Sequence, residues 1–369
     1  RVKGNSKGRK WIRRILLWLT ILNSIALIGA YLGTHISPKS WSLPAFLGLS
    51  YPYLLLAAML LVILWLFIER WYAVIPLLSI LIGFNHFRDF FVVTMIEPKI
   101  SEPVKIMSYN VQIFDFFDLD NRMDNRNRIF QFLEKEDPAI ICFQEFFQHE
   151  GATDFVTRDT IIEFMEMPHY HERYTHDMAL QRYFGTVTFS KYPIVGTGEI
   201  SFENDPNNFC IYSDIDVDGH VIRVFNGHLG SIRFQNTDYG FFGGNGDGKY
   251  FKDGEGVTRI YDRLNLAFKK RAEQVELVVQ EIDKSPYPTV VCVDLNDTPV
   301  SYSYRQFGKR LEDAFTVSGN GFGSTYIGEM PSNRIDYIFH SEEILSTQFT
   351  THSVDFSDHK PISCLIGFE

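Results

Sequence analysis

Two kinds of hydrophobic pattern divide the chain. Up to residue 84 the apolar positions come in continuous stretches: Trp11 to Gly33, Pro52 to Ile68 and Trp71 to Phe84, the last two separated only by Glu69 and Arg70. A run of about 20 apolar residues spans a bilayer as a helix. The pattern therefore predicts about three transmembrane helices in residues 1–97, the second and third forming a tight hairpin. A cleaved signal peptide is disfavoured because two more apolar stretches follow the first. Pro76 interrupts the third stretch, and Asn85, His86 and Arg88 crowd its end, which leaves a re-entrant or interfacial course open for it. Residues 98–103 (PKISEP) are polar and proline-bounded, as expected of a short linker.

From residue 104 strands alternate with helices. VKIMSYNV at 104–111, AIICFQEF at 139–146, GTVTFS at 185–190, the stretches near 194–201 and 209–217, HVIRVFNGHL, TVVCVD, NRIDYIFH and DHKPISCLIGF read as strands. Asp218-Gly219 supplies a hairpin turn between two of them. Ile129, Phe130 and Leu133 recur at helical spacing in RNRIFQFLEKE, which Pro138 stops. A short helix is expected at 159–166 and a long one at 258–283. Val290 to Val293 form an unbroken apolar run, the mark of a strand covered on both faces. Many strands with few long helices predict two packed sheets flanked by helices, in one domain over residues 104–369.

Charge sharpens the division. The first 103 residues hold 11 Lys+Arg against 4 Asp+Glu, a net of +7, and the rest hold 24 against 41, a net of −17. A domain this acidic repels a polyanion at long range, so duplex nucleic acid is a disfavoured partner. With the basic amino-terminal stretch held in the cytoplasm, three crossings would put residue 90 onward on the extracytoplasmic, periplasmic side; a re-entrant third segment would leave it in the cytoplasm. Cys142, Cys292 and Cys364 each lie inside an apolar run, where a free thiol acts as a small hydrophobe, and no disulfide framework is expected.

Candidate chemistry gathers where the strands end. Asn110 ends the first, Glu145 the second, His228 follows the Val221 to Phe225 run, Asp294 and Asn296 close the next, Asp336 interrupts RIDYIF, and Asp358 and His359 open the last. Asp294 and Asn296 are two apart and leave an extended chain on one face. Each residue alone is better explained as a cap or a solvated charge. Together, strands lying side by side can deliver an oxygen-rich set (Glu145, Asp358, Asn110, Asp294) suited to a hard divalent cation, with two imidazoles for proton transfer. No thiolate or histidine cluster has zinc spacing.

The ordered series SYNV, FQEF, GTVTFSKYPI, NGHL, VDLNDTP, RIDYIF and SDHKPI resembles the endonuclease/exonuclease/phosphatase superfamily of metal-dependent phosphohydrolases over about residues 104–369. The resemblance implies an α/β, four-layer αββα sandwich of two mainly antiparallel sheets, and Mg²⁺ or Mn²⁺ as cofactor. It implies Glu145 as principal metal ligand with Asn110 and Asp358 beside it. It further implies Asp294 for the attacking water, Asn296 for the phosphate, His359 held by Asp336 at the scissile phosphate, and His228 as acid for the leaving oxygen. Abasic-site nucleases carry an acidic residue two positions after the first-strand Asn; Gln112 stands there, which counts against that branch.

Substrate is read from FQNTDYGFFGGNGDGKYFKDGEG at 234–256. Its bland reading is a flexible surface loop; the sharper one is a lid or membrane-facing loop whose Tyr239, Phe241, Phe242, Tyr250 and Phe251 meet lipid. A membrane-anchored phosphohydrolase acting on a lipid headgroup is the preferred expectation. A nuclease and a non-catalytic membrane scaffold are the alternatives.

Overall fold

The computed structural model describes residues 6–118, 120–151, 155–177, 181–203, 205–232, 254–328 and 331–368. The chain forms two compact units: Arg1–Phe90 with Pro299–Arg305, and Phe91–Thr298 with Gln306–Glu369.

The first unit is helical. Ser6–Gly33 and Tyr51–Ile68 contain stretches long and apolar enough to cross a membrane. The third apolar stretch is not a straight helix: a 3₁₀ turn, Arg70–Ala73, leads into Val74–Ile82, and the axis then bends by 61° into Phe84–Phe90. Pro76 does not cause the break. It occupies the first turn of its helix, where its missing N–H has no intrahelical acceptor to lose, and the bend falls at Gly83. The unit thus offers two spans, or three if the bent pair counts as one. Its polarity is inside out. Thr20, Ser24, Thr34 and Ser79 are buried, while Leu22, Ile25, Leu56, Leu60, Leu66 and Phe67 are exposed. Hydrogen bonds satisfy part of this interior, Trp65 Nε1 donating to Thr20 Oγ1 at 2.8 Å and the Tyr31 hydroxyl to the Ser79 carbonyl at 3.0 Å, the arrangement by which helices associate in an apolar solvent.

The second unit is a sandwich of two six-stranded sheets. Its strands are β1 (Val92–Val93), β2 (Val104–Asn110), β3 (Ile140–His149), β4 (His169–Asp177), β5 (Arg182–Ser190), β6 (Ile194–Ser201), β7 (Phe209–Val217), β8 (His220–His228), β9 (Thr289–Asp294), β10 (Glu312–Asp313), β11 (Asn320–Gly321), β12 (Asp336–His340), β13 (Leu345–Thr351) and β14 (Ile362–Gly367). One sheet runs β10-β12-β9-β8-β7-β6, the other β13-β14-β2-β3-β5-β4, and β1 pairs only with β11. In each six-stranded sheet one pair is parallel, β8 with β9 and β2 with β3. Parallel neighbours need a crossover, and the helices Gly254–Ile282 and Arg122–Glu136 supply the two. Ile106, Cys142, Val224, Val290, Cys292, Ile338 and Cys364 fill the space between the sheets. Phe130 and Leu133 of the Arg122–Glu136 helix pack with Phe143, Phe146 and Phe189 in a second core. All four cysteines are buried and free.

Two strands lack the expected apolar pattern. β4 (HYHERYTHD) and β13 (LSTQFTT) are sheet edges, and an edge strand carries polar residues without cost because one side meets solvent. Asp336 does not interrupt its strand but begins it, and Asp358 and His359 precede β14 in a loop rather than opening it.

Candidate active site

Neighbouring strands place the candidate side chains in rows. His228 lies opposite Asp294 in the β8–β9 register, and Asp294 opposite Asp336 in the β9–β12 register. On the other sheet Asn110, ending β2, lies beside Gln144 of β3. Glu145 follows at a register shift between Phe143 and Phe146 and has φ +51°. A bulge of this kind re-aims one side chain without breaking the strand.

The contacts join the two rows. Asn110 Nδ2 donates to Asp294 Oδ2 at 2.9 Å and lies 3.4 Å from Glu145 Oε1, so one amide bridges the two carboxylates. His228 Nε2 stands 3.5 Å from Asp294 Oδ2 and 3.6 Å from Glu145 Oε1. His359 Nδ1 faces both oxygens of Asp336 at 2.9 and 3.1 Å, and its Nε2 is 3.8 Å from Asp294 Oδ2. Asn296, at φ +52°, donates its backbone N–H to Asp294 Oδ1 and its amide to the Leu229 carbonyl. The Asp358 N–H donates to Gln112 Oε1 at 3.1 Å, so the residue that departs from the abasic-site nuclease pattern holds the Asp358 backbone here. Tyr239, Phe241, Phe242, Tyr250 and Phe251 lie outside the described residues.

Electrostatics follow from burial and crowding. Burial alone would depress the His359 imidazole, but the Asp336 and Asp294 carboxylates outweigh it and hold the pKa well above its ordinary value. Burial, and then the nearby carboxylates of Glu145, Asp294 and Asp336 against the opposing pull of His359, push the Asp358 carboxyl up to about 6. Asp294 is raised too, first by burial.

This crowding tests whether a divalent cation suits the site. The Glu145 carboxylate is close enough to raise the cost of ionising Asp358, and a hard cation relieves that cost by binding oxygen. The donors fit. Among the described residues, the three side chains whose ligand atoms all lie within 4.8 Å of one another are a different group, Asp294, Asp336 and His359. There His359 Nδ1 is already committed to Asp336, so proton handling suits that trio better than metal binding.

Residues outside the expected set build the geometry. Asn226 of β8 is buried between the sheets: its Nδ2 donates to the Phe143 and Val187 carbonyls at 3.3 and 3.0 Å, and its Oδ1 accepts from Gln144 Nε2 at 2.8 Å. It grips the bulge beside Glu145. Thr325 Oγ1 accepts the N–H groups of Ile335 and Asp336 at 3.0 and 3.2 Å. The readable signal for Asn226 was a carboxamide inside the apolar run HVIRVFNGHL. Thr325 had none, because its partners are ten and eleven residues away. A cleft of about 330 Å³ opens beside Glu145 and His228, lined also by Ile113, Phe184, Thr186 and Asn208.

Two family models match the chain. The Endonuclease/Exonuclease/phosphatase family covers residues 107–359, and a domain of unknown function, DUF8431, covers residues 13–90. The chain belongs to the Endonuclease/Exonuclease/phosphatase family, whose members hydrolyse phosphoester bonds with a divalent metal. No curated protein matches it. Among solved structures, an endonuclease/exonuclease/phosphatase from Beutenbergia cavernae is 16% identical with a TM-score of 0.51, over 73% of this chain and 72% of that one. A family protein from Bacteroides thetaiotaomicron is 16% identical, TM-score 0.51, over 73% and 100%. TDP2 of D. rerio, complexed with single strand DNA product, is 15% identical, TM-score 0.50, over 72% and 100%. These likenesses establish the shared fold.

Proposed function

We propose that the protein is a membrane-anchored phosphohydrolase, dependent on Mg²⁺ or Mn²⁺, that cleaves a lipid-headgroup phosphoester by in-line attack of water. Residues 1–97 serve as anchor, 98–103 as linker and 104–369 as the catalytic domain, held on the extracytoplasmic side if the bent third segment crosses. The observation that carries the chemistry is the buried His359–Asp336 pair beside Asp294, joined through the Asn110 amide to Glu145. Glu145 would hold the cation with Asp358, Asn110 orienting the ligand carboxylate. When bound, the cation supplies charge neutralisation at a phosphoryl oxygen. Asp294 Oδ2, buried and facing both imidazoles, aligns the attacking water and takes its proton. The Asn296 amide, one N–H of which donates to the Leu229 carbonyl, would hold the phosphate with the other. His359, kept cationic by Asp336, stabilises negative charge as it develops. His228 gives a proton to the leaving oxygen.

The lipid reading is supported by the apolar exterior of the helical unit and by the acidity of the second unit, which disfavours polyanions. The test uses the full chain in nanodiscs with Mg²⁺, offered mixed-lipid vesicles, a soluble aryl phosphodiester, plasmid DNA and RNA. Headgroup release with the nucleic acids uncut is expected. Glu145→Ala and His359→Ala should each lower turnover by about 100-fold or more. DNA cleavage at moderate salt would establish the nuclease reading instead, undiminished turnover in both variants would sink the assignment of this site, and no turnover of any substrate by the parent would leave the scaffold reading.

A further inference from the structure

The segment after Phe90 lies along the second unit with its polarity reversed. Val92 and Val93 pair with Gly321 and Asn320. Thr94 donates its N–H to Asn320 Oδ1 at 3.1 Å and its hydroxyl to the Gly319 carbonyl at 2.7 Å. Glu97 accepts from the Thr347 hydroxyl and, at 3.0 Å, from the Gln348 N–H. The polar side chains are thus spent on the protein; Val92 packs against the core between the sheets, but the apolar side chains beyond it stay open, Val93 63% exposed, Met95 90% and Ile96 88%, and Phe322, one residue beyond the paired Gly321, is 56% exposed with one side of its ring against Phe91. A lone exposed hydrophobe needs no explanation. Four along one fastened strap and its partner turn do, because a strap facing water gains by the opposite arrangement.

We infer that Val93, Met95, Ile96 and Phe322 rest in the headgroup–acyl boundary of a bilayer, seating the catalytic sandwich by its β13 edge. The inference rests on the membrane reading of the apolar helices. Lipid is the occupant because of continuity along the chain: Ile96 is six residues past Phe90, and so short a stretch spans at most about 20 Å. A membrane holding Arg1–Phe90 is therefore within reach of this face, and apolar side chains beside a bilayer gain by entering its interface. The opposite edges of the two sheets, β6 and β4, would then be turned toward water.

The test places single cysteines at Met95, Phe322, Leu60 and Val195 in the full chain, whose native cysteines are all buried, and labels each with an environment-sensitive fluorophore. Leu60 lies on the exposed face of the Tyr51–Ile68 helix and reports whether that helix is in lipid; Val195, on β6 and 58% exposed, is the water-facing control. In nanodiscs containing a lipid with a headgroup-depth nitroxide, quenching at Met95 and Phe322 should exceed that at Val195 at least twofold. Strong quenching at Leu60 with Met95 and Phe322 equal to Val195 overturns the seating while keeping the anchor. No quenching at Leu60 overturns both. Protection of Met95 from aqueous quencher without lipid quenching assigns the face to a protein partner and also overturns the seating.

Discussion

Replacing Asn226 by leucine separates the site from its support, because Asn226 touches none of the catalytic candidates and yet holds the strand that aims one of them. Its side chain keeps the Phe143 and Val187 carbonyls and the Gln144 amide satisfied across the sheet interface. Gln144 Nε2 retains Ser108 Oγ at 3.1 Å, so the two carbonyls bear most of the loss. A buried polar group stripped of its partner costs about 1–3 kcal/mol. With two carbonyls each losing a donor and leucine's apolar burial as partial offset, the net loss is about 1–4 kcal/mol. For a domain of this size that is a fall in Tm on the order of 10 °C. The substitution also releases the bulge that turns Glu145 to φ +51°, so the Mg²⁺ concentration for half-maximal activity should rise. Thermal unfolding of the full chain in detergent and a Mg²⁺ titration of turnover read the two effects. A Tm within about 2 °C of the parent would refute the energetic argument. A lowered Tm with unchanged metal dependence would show that Asn226 stabilises the sandwich without steering Glu145.

Asp336→Asn should lower the His359 pKa in metal-free protein, followed by NMR of ring-labelled histidine. Because the folded pKa is raised, the stabilisation by the pair is complete below the ordinary value of 6.5 and is lost as pH rises through the folded value. The Tm gap between parent and variant should therefore be widest in mild acid and close with rising pH; a pH-independent gap would refute it. Gly185→Ala should also be destabilising: a Cβ there would meet the Arg173 carbonyl oxygen at 1.9 Å and the Tyr174 Cα at 2.9 Å, both backbone. Parting β4 from β5 costs about 1–3 kcal/mol, read as a Tm drop with a raised KM, since Gly185 also lines the cleft. A silent Gly185→Ala would show that β4 yields freely.

How much of this was legible in the sequence depends on how local the cause is. Buried strands such as β9, apolar at Val290 to Val293, announced themselves because both faces meet protein. Edge strands β4 and β13 did not, since tertiary pairing and not their own pattern makes them strands. The candidate site residues could be read as polar residues at the ends of apolar runs; of their supports, Asn226 left a trace as a carboxamide inside such a run and Thr325 left none. Gln112 looked like a departure from one branch's pattern, whereas in the fold its side chain holds the Asp358 N–H from a position 246 residues away in sequence. Thr325 reaches Asp336 in the same way. Hydrogen bonds to backbone leave little trace in residue type, because many polar side chains can make them.

The backbone that local rules would not foresee lies at the site. Gln112, Ile113, Phe114 and Asp115 are four successive residues at positive φ, and Glu145 and Asn296 share that region. For β-branched Ile113 it is unfavourable in any context, and such conformations cost on the order of 1–3 kcal/mol each unless their surroundings impose them. The surroundings here can be named. Phe114 is buried against Phe130 and Phe146, the Gln112 N–H donates to Asn110 Oδ1 at 3.0 Å, and the Phe114 N–H returns to the Val111 carbonyl at 2.7 Å. The same turn offers Gln112 Oε1 to Asp358 and Ile113 to the cleft wall. One strained turn therefore sets both the carboxylate loop before β14 and the side of the cleft next to Glu145. Strain maintained by the aromatic core fixes these positions before any substrate arrives, which is what charge stabilisation by preorganised groups requires.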